Sequence, residues 1–113
     1  MADVFTFDEL VARLAADRHD FAEFFRSPSE SLSLTIARWP AGSIDDQAPH
    51  TEDEVYYVAA GNAKLTIGEE TLAVAPGSVA FVAAGVEHQF SEITDDLEVV
   101  VFWSPARSRA QAG

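Results

Sequence analysis

The feature that most constrains the fold is a series of short β-type segments that runs through most of the sequence. From residue 32 onward, runs of alternating and β-branched residues are separated by turn signals rich in glycine, proline, asparagine and aspartate. Strands this short, about ten residues apart, suit a sandwich or a barrel, because a parallel α/β sheet needs intervening helices. The predicted strands are residues 32–36, 55–59, 63–67, 71–74, 78–82, 88–92 and 97–103.

One α-helix is predicted before the strands. Thr6 and Glu9 have the spacing of a capping box, in which each side chain satisfies a free backbone N–H at the start of a helix. Positive charge at Arg18 and His19 favours a helix C-terminus, so His19 is interpreted as a helix-end cation and not as a ligand. We predict a helix over about residues 7–18, with an apolar face formed by Phe7, Leu10, Val11 and Leu14.

Length and composition predict a single domain over residues 1–113. Two independent hydrophobic cores would both be too small in 113 residues. The chain is 48% hydrophobic and includes eight phenylalanines, which is enough apolar area for one core without disulfides. The C-terminal tail from Ala106 to Gly113 is small and polar, and we expect it to fray.

The formal net charge of −12 limits the partners that the protein can bind. Nucleic-acid phosphates and anionic membrane surfaces would both be repelled, so neither is expected. The first thirty residues contain many charged side chains and show neither a signal peptide nor an apolar run of membrane length. Together with the absence of cysteine, this pattern predicts a soluble, cytoplasmic protein.

Three side chains in two separate stretches could bind a metal ion: His50, Glu54 and His88. In a straight strand His50 and Glu54 would lie about 13 Å apart, too far to share an ion. The polar residues between them allow the chain to turn, and His88 would arrive from another strand. Two imidazoles and a carboxylate suit iron(II), manganese, nickel or zinc and leave coordination positions open. The alternative is that these histidines are surface residues or hydrogen-bonded core residues.

The same residues resemble two motifs of the cupin superfamily, and the similarity runs from near Leu32 to Trp103. The second half of the first motif matches at His50, Glu54 and Gly61, and the second motif matches at Gly77, Gly85 and His88. The resemblance implies an all-β fold, a jelly-roll double-stranded β-helix barrel over about residues 31–104, with the predicted helix at its N-terminus. It also implies that His50, Glu54 and His88 are metal ligands.

The sequence departs from the first motif at one ligand position. Ala48 stands where the motif has its first histidine, so one of the four ligands usual in the family is missing. Gln47 is the nearest substitute, and its amide oxygen could reach the ion. The alternative is a weakened site, or a pocket that binds no metal. Ala83 and Glu92 also depart from the second motif, at positions that do not usually bind the metal.

Two further residues are candidates for catalysis, and three aromatic residues are candidates for an interface. Tyr56 shares strand parity with Glu54 and could act as an acid or base in the pocket, although packing is the alternative. Glu52 could act as a general base, although a solvated turn is the alternative. Phe21, Phe24 and Phe25 are too apolar for a surface exposed to solvent, and they could pack at the interface of a homodimer of the kind common in cupins.

The function implied by this resemblance is that of a metalloenzyme acting on a small organic molecule, with one divalent metal ion. Iron(II) is the favoured ion, and manganese, nickel and zinc are alternatives. A carboxylate among three protein ligands favours dioxygenase-like chemistry over isomerase or lyase chemistry. The alternative functions are a non-catalytic cupin that binds or senses a small ligand, and a structural cupin without an active pocket.

Overall fold

A computed structural model describes residues 3–16 and 20–108 of the chain. One helix, α1 (Phe7–Ala16), precedes eight strands. The strands are β1 (Phe21–Arg26), β2 (Ser33–Trp39), β3 (Asp53–Ala60), β4 (Ala63–Ile67), β5 (Glu70–Val74), β6 (Val79–Val82), β7 (His88–Ser91) and β8 (Leu97–Ser104).

The strands form two antiparallel sheets that enclose one main core. The larger sheet has the order β1-β2-β8-β3-β6, and the smaller sheet has the order β5-β4-β7. Strict alternation on β3 and β8 sends every second side chain inward, because successive side chains of a strand point to opposite faces. Tyr56 and Val58 on β3 and Val99, Val101 and Trp103 on β8 therefore reach the core, where Leu65 and Phe90 meet them from the smaller sheet.

The observed strands confirm the all-β cupin fold expected from the sequence, with differences at the ends. Each predicted strand is present to within a few residues. The larger sheet begins at Phe21, however, and not near residue 31, because β1 forms an antiparallel pair with β2, with one register shift between Glu23 and Phe25. The helix is described from Phe7 to Ala16, and its predicted last two residues, 17 and 18, lie outside the described residues. The predicted role of His19 lies outside the described residues.

Helix α1 and strand β1 form a second, smaller cluster on the outside of the larger sheet. Leu10 and Leu14 of α1 pack on Phe24 and Ile36, and the Phe5 ring meets Phe24 edge to face at 5.1 Å. The helix starts as expected, because the Thr6 hydroxyl accepts a hydrogen bond from the Glu9 backbone N–H at 3.2 Å. The apolar face of the helix is thus buried within the chain.

This cluster changes the basis for the expected homodimer. Phe24 is buried under α1, Phe25 packs against the same cluster, and Phe21 packs against the main core. These side chains therefore pack within one chain and need no partner subunit to bury them. The large hydrophobic residues that are exposed instead include Tyr57, Val79, Phe81 and Phe102, on the outer face of β8, β3 and β6. The homodimer stays a prediction.

No helix among the described residues has both the length and the apolar composition that a membrane crossing requires.

Gly61 joins β3 to the turn before β4, and its backbone lies against the start of β8. A Cβ atom at this position would lie 2.7 Å from Leu97 Cα and would also collide with the Asp96 carbonyl oxygen. Its φ of +94° also lies in the left-handed region, which disfavours any side chain. The glycine at this motif position is therefore required by close packing of two strands.

We expect Gly61→Ala to lower the free energy of unfolding by more than about 3 kcal/mol, because it adds a steric clash to backbone strain. Gly77→Ala is the matched control: Gly77 has a φ of +95°, but a Cβ there would meet nothing within 4 Å. That variant should lose only about 1–2 kcal/mol from strain. Urea denaturation measures both. Equal losses in the two variants would contradict the packing explanation.

Candidate metal centre

Two turns that are distant in sequence are tied together at one end of the barrel. The Gly85 backbone N–H donates a hydrogen bond to the His50 carbonyl at 2.7 Å, and the Ala84 N–H donates to Asp53 Oδ1 at 2.9 Å. The first turn leads into β3, which carries Glu54, and the second leads into β7, which begins at His88. These bonds bring the two motifs side by side.

The three predicted ligands converge between the two sheets. His88 Nε2 lies 3.4 Å from Glu54 Oε1, and His50 Nε2 lies 3.9 Å from the same oxygen. One donor atom from each residue lies within 4.8 Å of the other two. Ligands about 2.1 Å from a common ion are separated by about 3–4 Å, so the arrangement is compatible with a bound cation. His50, Glu54 and His88 could therefore hold a metal ion.

The orientation of His88 leaves one ring nitrogen available to a metal. Its Nδ1 lies 2.9 Å from the Val86 carbonyl, which can only accept, so Nδ1 carries the proton. Nε2 then presents its lone pair towards Glu54. Burial lowers the pKa of His88, which also favours the neutral imidazole that metals bind.

Glu54 is a buried carboxyl group without hydrogen-bond partners. Its side chain is 1% exposed, and neither oxygen has a partner among the described residues. Burial raises the pKa of Glu54 to about 7, and the nearby Tyr56 hydroxyl opposes this shift. His88 Nε2 and the Tyr56 hydroxyl are also buried without partners in the described part of the chain. Buried polar atoms without hydrogen-bond partners destabilise the folded state unless a ligand binds them. A cation could bind three of these four atoms, namely the two Glu54 oxygens and His88 Nε2.

Gln47 lies where it could supply a fourth ligand through its amide oxygen. Its Oε1 is 3.4 Å from His50 Nε2. Its Nε2 donates a hydrogen bond to Asp45 Oδ2 at 2.7 Å, which turns the amide oxygen towards the site. Asp45 in turn accepts a hydrogen bond from the Phe90 backbone N–H at 2.8 Å, so the loop before His50 is attached to β7. Asp45 was not identified from the sequence, because no motif marks it.

The two candidate catalytic residues have different positions. The Tyr56 ring lies beside His88 and Phe90, with centroid distances of 5.9 Å and 5.3 Å, so its side chain faces the site as expected from strand parity. Glu52 is buried, which corrects the alternative of a solvated turn. Its carboxylate accepts hydrogen bonds from the Ser108 N–H at 2.6 Å and from the Thr51 hydroxyl at 3.3 Å. Glu52 is not among the residues that line the cavity beside Glu54, and its role as a catalytic base stays a prediction.

A cavity of about 180 Å³ adjoins His50, Glu54 and Tyr56. Its wall includes Phe21, Trp39 and Trp103 together with Arg38 and Arg107. No pattern in the sequence points to Arg107, because this residue lies in the tail that is expected to fray. The structure instead holds residues 106–108 against the barrel: Ala106 N–H donates to the Glu30 carbonyl at 3.0 Å, and Arg107 N–H donates to Ser33 Oγ at 2.8 Å. The expectation for residues 109–113 lies outside the described residues.

Comparison with known proteins agrees with this fold. The cupin domain model matches residues 35–105, which is more than half of the chain, so this chain belongs to the cupin family. An uncharacterized protein of Streptomyces coelicolor is 44% identical over 104 residues, which are 92% of this chain and 97% of the relative.

Two solved structures illustrate the fold similarity. KdgF from Halomonas sp. has a TM-score of 0.71 at 18% identity, over 80% of this chain and 82% of KdgF. The DMSP lyase DddQ from Ruegeria pomeroyi DSS-3 has a TM-score of 0.66 at 23% identity, over 83% of this chain and 50% of DddQ. At these identities the similarity shows the fold, and structural neighbours of this chain include an enzyme.

The buried Glu54 predicts a specific pH dependence of stability in the metal-free protein. Its folded pKa of about 7 is above the usual value of 4.5, so the unfolded chain releases this proton at lower pH than the folded protein does. Folding stability contributed by this group is therefore complete below about pH 4.5 and is lost as the pH rises to about 7, by at most about 3 kcal/mol.

Glu54→Gln should remove this pH-dependent loss of folding stability, because glutamine does not ionise. With chelator present, we expect the variant to be more stable than wild type at pH 8, with this advantage disappearing at pH 4, as measured by urea denaturation. Glu69→Gln, which changes an exposed carboxylate in the turn before β5, should show no such difference. A Glu54→Gln effect of the same size at both pH values would contradict the assignment.

Proposed function

We propose that this protein is a metalloenzyme that acts on a small organic molecule and binds one divalent cation through His50, Glu54, His88 and Gln47. The observation that carries the proposal is the convergence of unpartnered buried donor atoms, two from Glu54 and one from His88, beside a cavity. A buried carboxylate and imidazole without partners reduce stability, which is expected where a site is built for a ligand and not for stability.

The donor atoms favour a first-row transition metal. They are two imidazole nitrogens, one carboxylate and one amide oxygen, and the chain has no cysteine that could supply a thiolate. We propose iron(II), with manganese, nickel and zinc as alternatives for this set. A bound ion would polarise a substrate oxygen or bind dioxygen at an open coordination position.

The residues around the ligands would orient the substrate and supply a proton. Tyr56 is 1% exposed, and burial raises its pKa well above 10, so its hydroxyl carries a proton at neutral pH. It can therefore donate a hydrogen bond, or a proton, to an oxygen of a substrate beside Glu54. Trp39 and Trp103 line the cavity with apolar surface, which reduces the number of water molecules near the reacting groups.

The reaction class that we propose first is dioxygenase-like, because the facial set of two histidines and one carboxylate leaves room for dioxygen and substrate together. Isomerase or lyase chemistry is the second candidate. The unpartnered Tyr56 hydroxyl favours it, since a positioned acid serves proton transfer, and the fold similarity to a DMSP lyase is compatible with it. A cupin that binds or senses a small ligand without catalysis is the non-enzymatic alternative.

Metal analysis tests the first step of this proposal. We expect wild-type protein reconstituted anaerobically with iron(II) to contain one equivalent of metal, and His88→Ala to contain none. Gln47→Ala should lower the metal affinity at least about tenfold, as measured by calorimetric titration. Glu87→Gln, an exposed neighbour of His88, is the matched control and should bind like wild type. If wild type binds none of the four divalent metals, the proposal is wrong.

Oxygen consumption tests the reaction class. With iron(II) bound and candidate phenols, thiols or diketones present, we expect substrate-dependent oxygen uptake at an oxygen electrode. Tyr56→Phe should reduce the turnover number at least about 100-fold, because it removes the proton donor. Tyr57→Phe is the matched control, since Tyr57 is on the same strand and its side chain is exposed on the opposite face. Product formation at the same rate without oxygen would instead support isomerase or lyase chemistry.

A further inference from the structure

The outer face of the larger sheet carries a block of apolar side chains on β8, β3 and β6. Alternate residues of these strands point outward, away from the buried residues of the main core. The outward residues form two rows of cross-strand neighbours, and neither row contains a charged residue. The first row is Phe102, Val55 and Phe81, and the second is Val100, Tyr57 and Val79. We call these six residues the apolar face.

Most of the apolar face is accessible to solvent. Val79 is 67% exposed, Phe81 59%, Tyr57 42% and Phe102 37%. Helix α1 packs on β1 and β2 of the same sheet, and its cluster meets the apolar face at Val100. The described part of the chain therefore buries one portion of the outer side of this sheet and leaves the neighbouring portion accessible.

The accessible apolar surface continues past the free edge of β6. Strands β5 and β6 lie at the ends of their sheets and do not pair with each other, and a groove of about 450 Å³ lies between them. Leu72 of β5 lines this groove and is 63% exposed, although its cross-strand partner Leu65 is buried. Val79 and Phe81 line the groove from β6. The apolar face and the groove thus hold five of the eight large hydrophobic residues that are exposed in the described chain.

This surface has about the apolar area that a stable dimer buries. An aromatic side chain has about 150–250 Å² of surface, so the exposed fractions of Phe81, Tyr57 and Phe102 leave about 300 Å² accessible in each copy. Val79 and Leu72 raise this area to more than about 400 Å². A standard interface buries about 800 Å² per partner, of which about 60%, or about 500 Å², is apolar. The surface therefore supplies most of the apolar area that one partner contributes.

Charge and composition favour a second copy of this chain as the partner. The chain has a formal net charge of −12, so two copies repel each other unless the surfaces in contact are uncharged. The apolar face meets this condition, although 23% of the chain is charged. It also offers no charged side chain that would select a partner of opposite charge. Homodimer interfaces are the more apolar class, with aromatic residues enriched, and a two-fold axis presents the same surface on both partners.

We propose that this protein forms a symmetric homodimer in which the apolar face and the adjoining groove of one copy pack on those of a second copy. The interface differs from the one expected from the sequence, because Phe21, Phe24 and Phe25 pack within one chain. It lies on the outer side of β3, whose inner side carries Glu54 and Tyr56. Dimer formation therefore requires neither a metal ion nor the catalytic function proposed above.

Sedimentation equilibrium of the metal-free full-length protein tests this interface. Wild type should have a mass of about 24 kDa, twice the 12.2 kDa of the chain, and a dissociation constant of about 1 µM or lower. Phe81→Glu should raise the dissociation constant at least about 100-fold, because each copy would bury a carboxylate without a partner. Val79→Glu, at the most exposed position of the apolar face, should do the same with little effect on folding.

Two controls separate this interface from other causes of association. Ile44 is 89% exposed in the loop before β3 and lies outside the apolar face, so Ile44→Glu should dimerise like wild type. Near-ultraviolet circular dichroism shows whether each variant is folded. Raising the salt concentration should lower the dissociation constant of wild type, because salt screens the repulsion between two acidic chains.

Hydrogen exchange of wild type tests the location of the interface without any substitution. Backbone amides of residues 79–82 should exchange more slowly well above the dissociation constant than well below it, because the dimer covers β6. Equal exchange rates at the two concentrations would overturn the proposal, and this measurement decides the question if neither glutamate variant folds.

Three results of the sedimentation experiment would also overturn the proposal. The first is a wild-type protein that stays monomeric at about 100 µM, which would leave the apolar face to a different partner. The second is a wild-type dissociation constant in folded Phe81→Glu and Val79→Glu, since the dimer would then use another surface. The third is an equal loss of dimer in Ile44→Glu. None of these results bears on metal binding, which the titrations described above measure separately.

Discussion

The candidate metal centre depends on the hydrogen bond between the Gly85 N–H and the His50 carbonyl. With the bond from the Ala84 N–H to Asp53, it joins the turn before β3 to the turn before β7. Each such bond contributes only about 1 kcal/mol of net stability. Its structural effect is larger, because the turn at residues 83–87 connects β6 of the larger sheet to β7 of the smaller sheet, and its attachment brings His88 within reach of His50 and Glu54.

The candidate ligands are arranged at a cost to the stability of the folded state. A carboxyl group that is 1% exposed and lacks hydrogen-bond partners loses its hydration without compensation from the described residues. Other residues nevertheless orient the site: the Val86 carbonyl selects the tautomer of His88, and Asp45 turns the amide of Gln47. Such orientation would lower the entropic cost of binding a cation at this candidate site.

Most of the architecture follows from local sequence patterns. The alternation on β3 and β8 and the turn signals between strands act over a few residues, so the strands and the all-β class could be predicted without a structure. Strand β1 is not among the predicted strands, which begin at residue 32. The structure shows where its three phenylalanines pack: Phe21 packs in the main core, whereas Phe24 and Phe25 pack in the cluster under α1.

The sequence by itself determined the three candidate ligands, because glycine, histidine and glutamate recur at motif spacing, and it determined that Tyr56 shares a face with Glu54. Only the tertiary structure decided the role of residues that act through distant contacts. Asp45 meets a backbone N–H 45 positions away, and Arg107 is anchored 74 positions away. The pairing of such residues is set by how the sheets close on each other, and no local pattern of residue types contains that information.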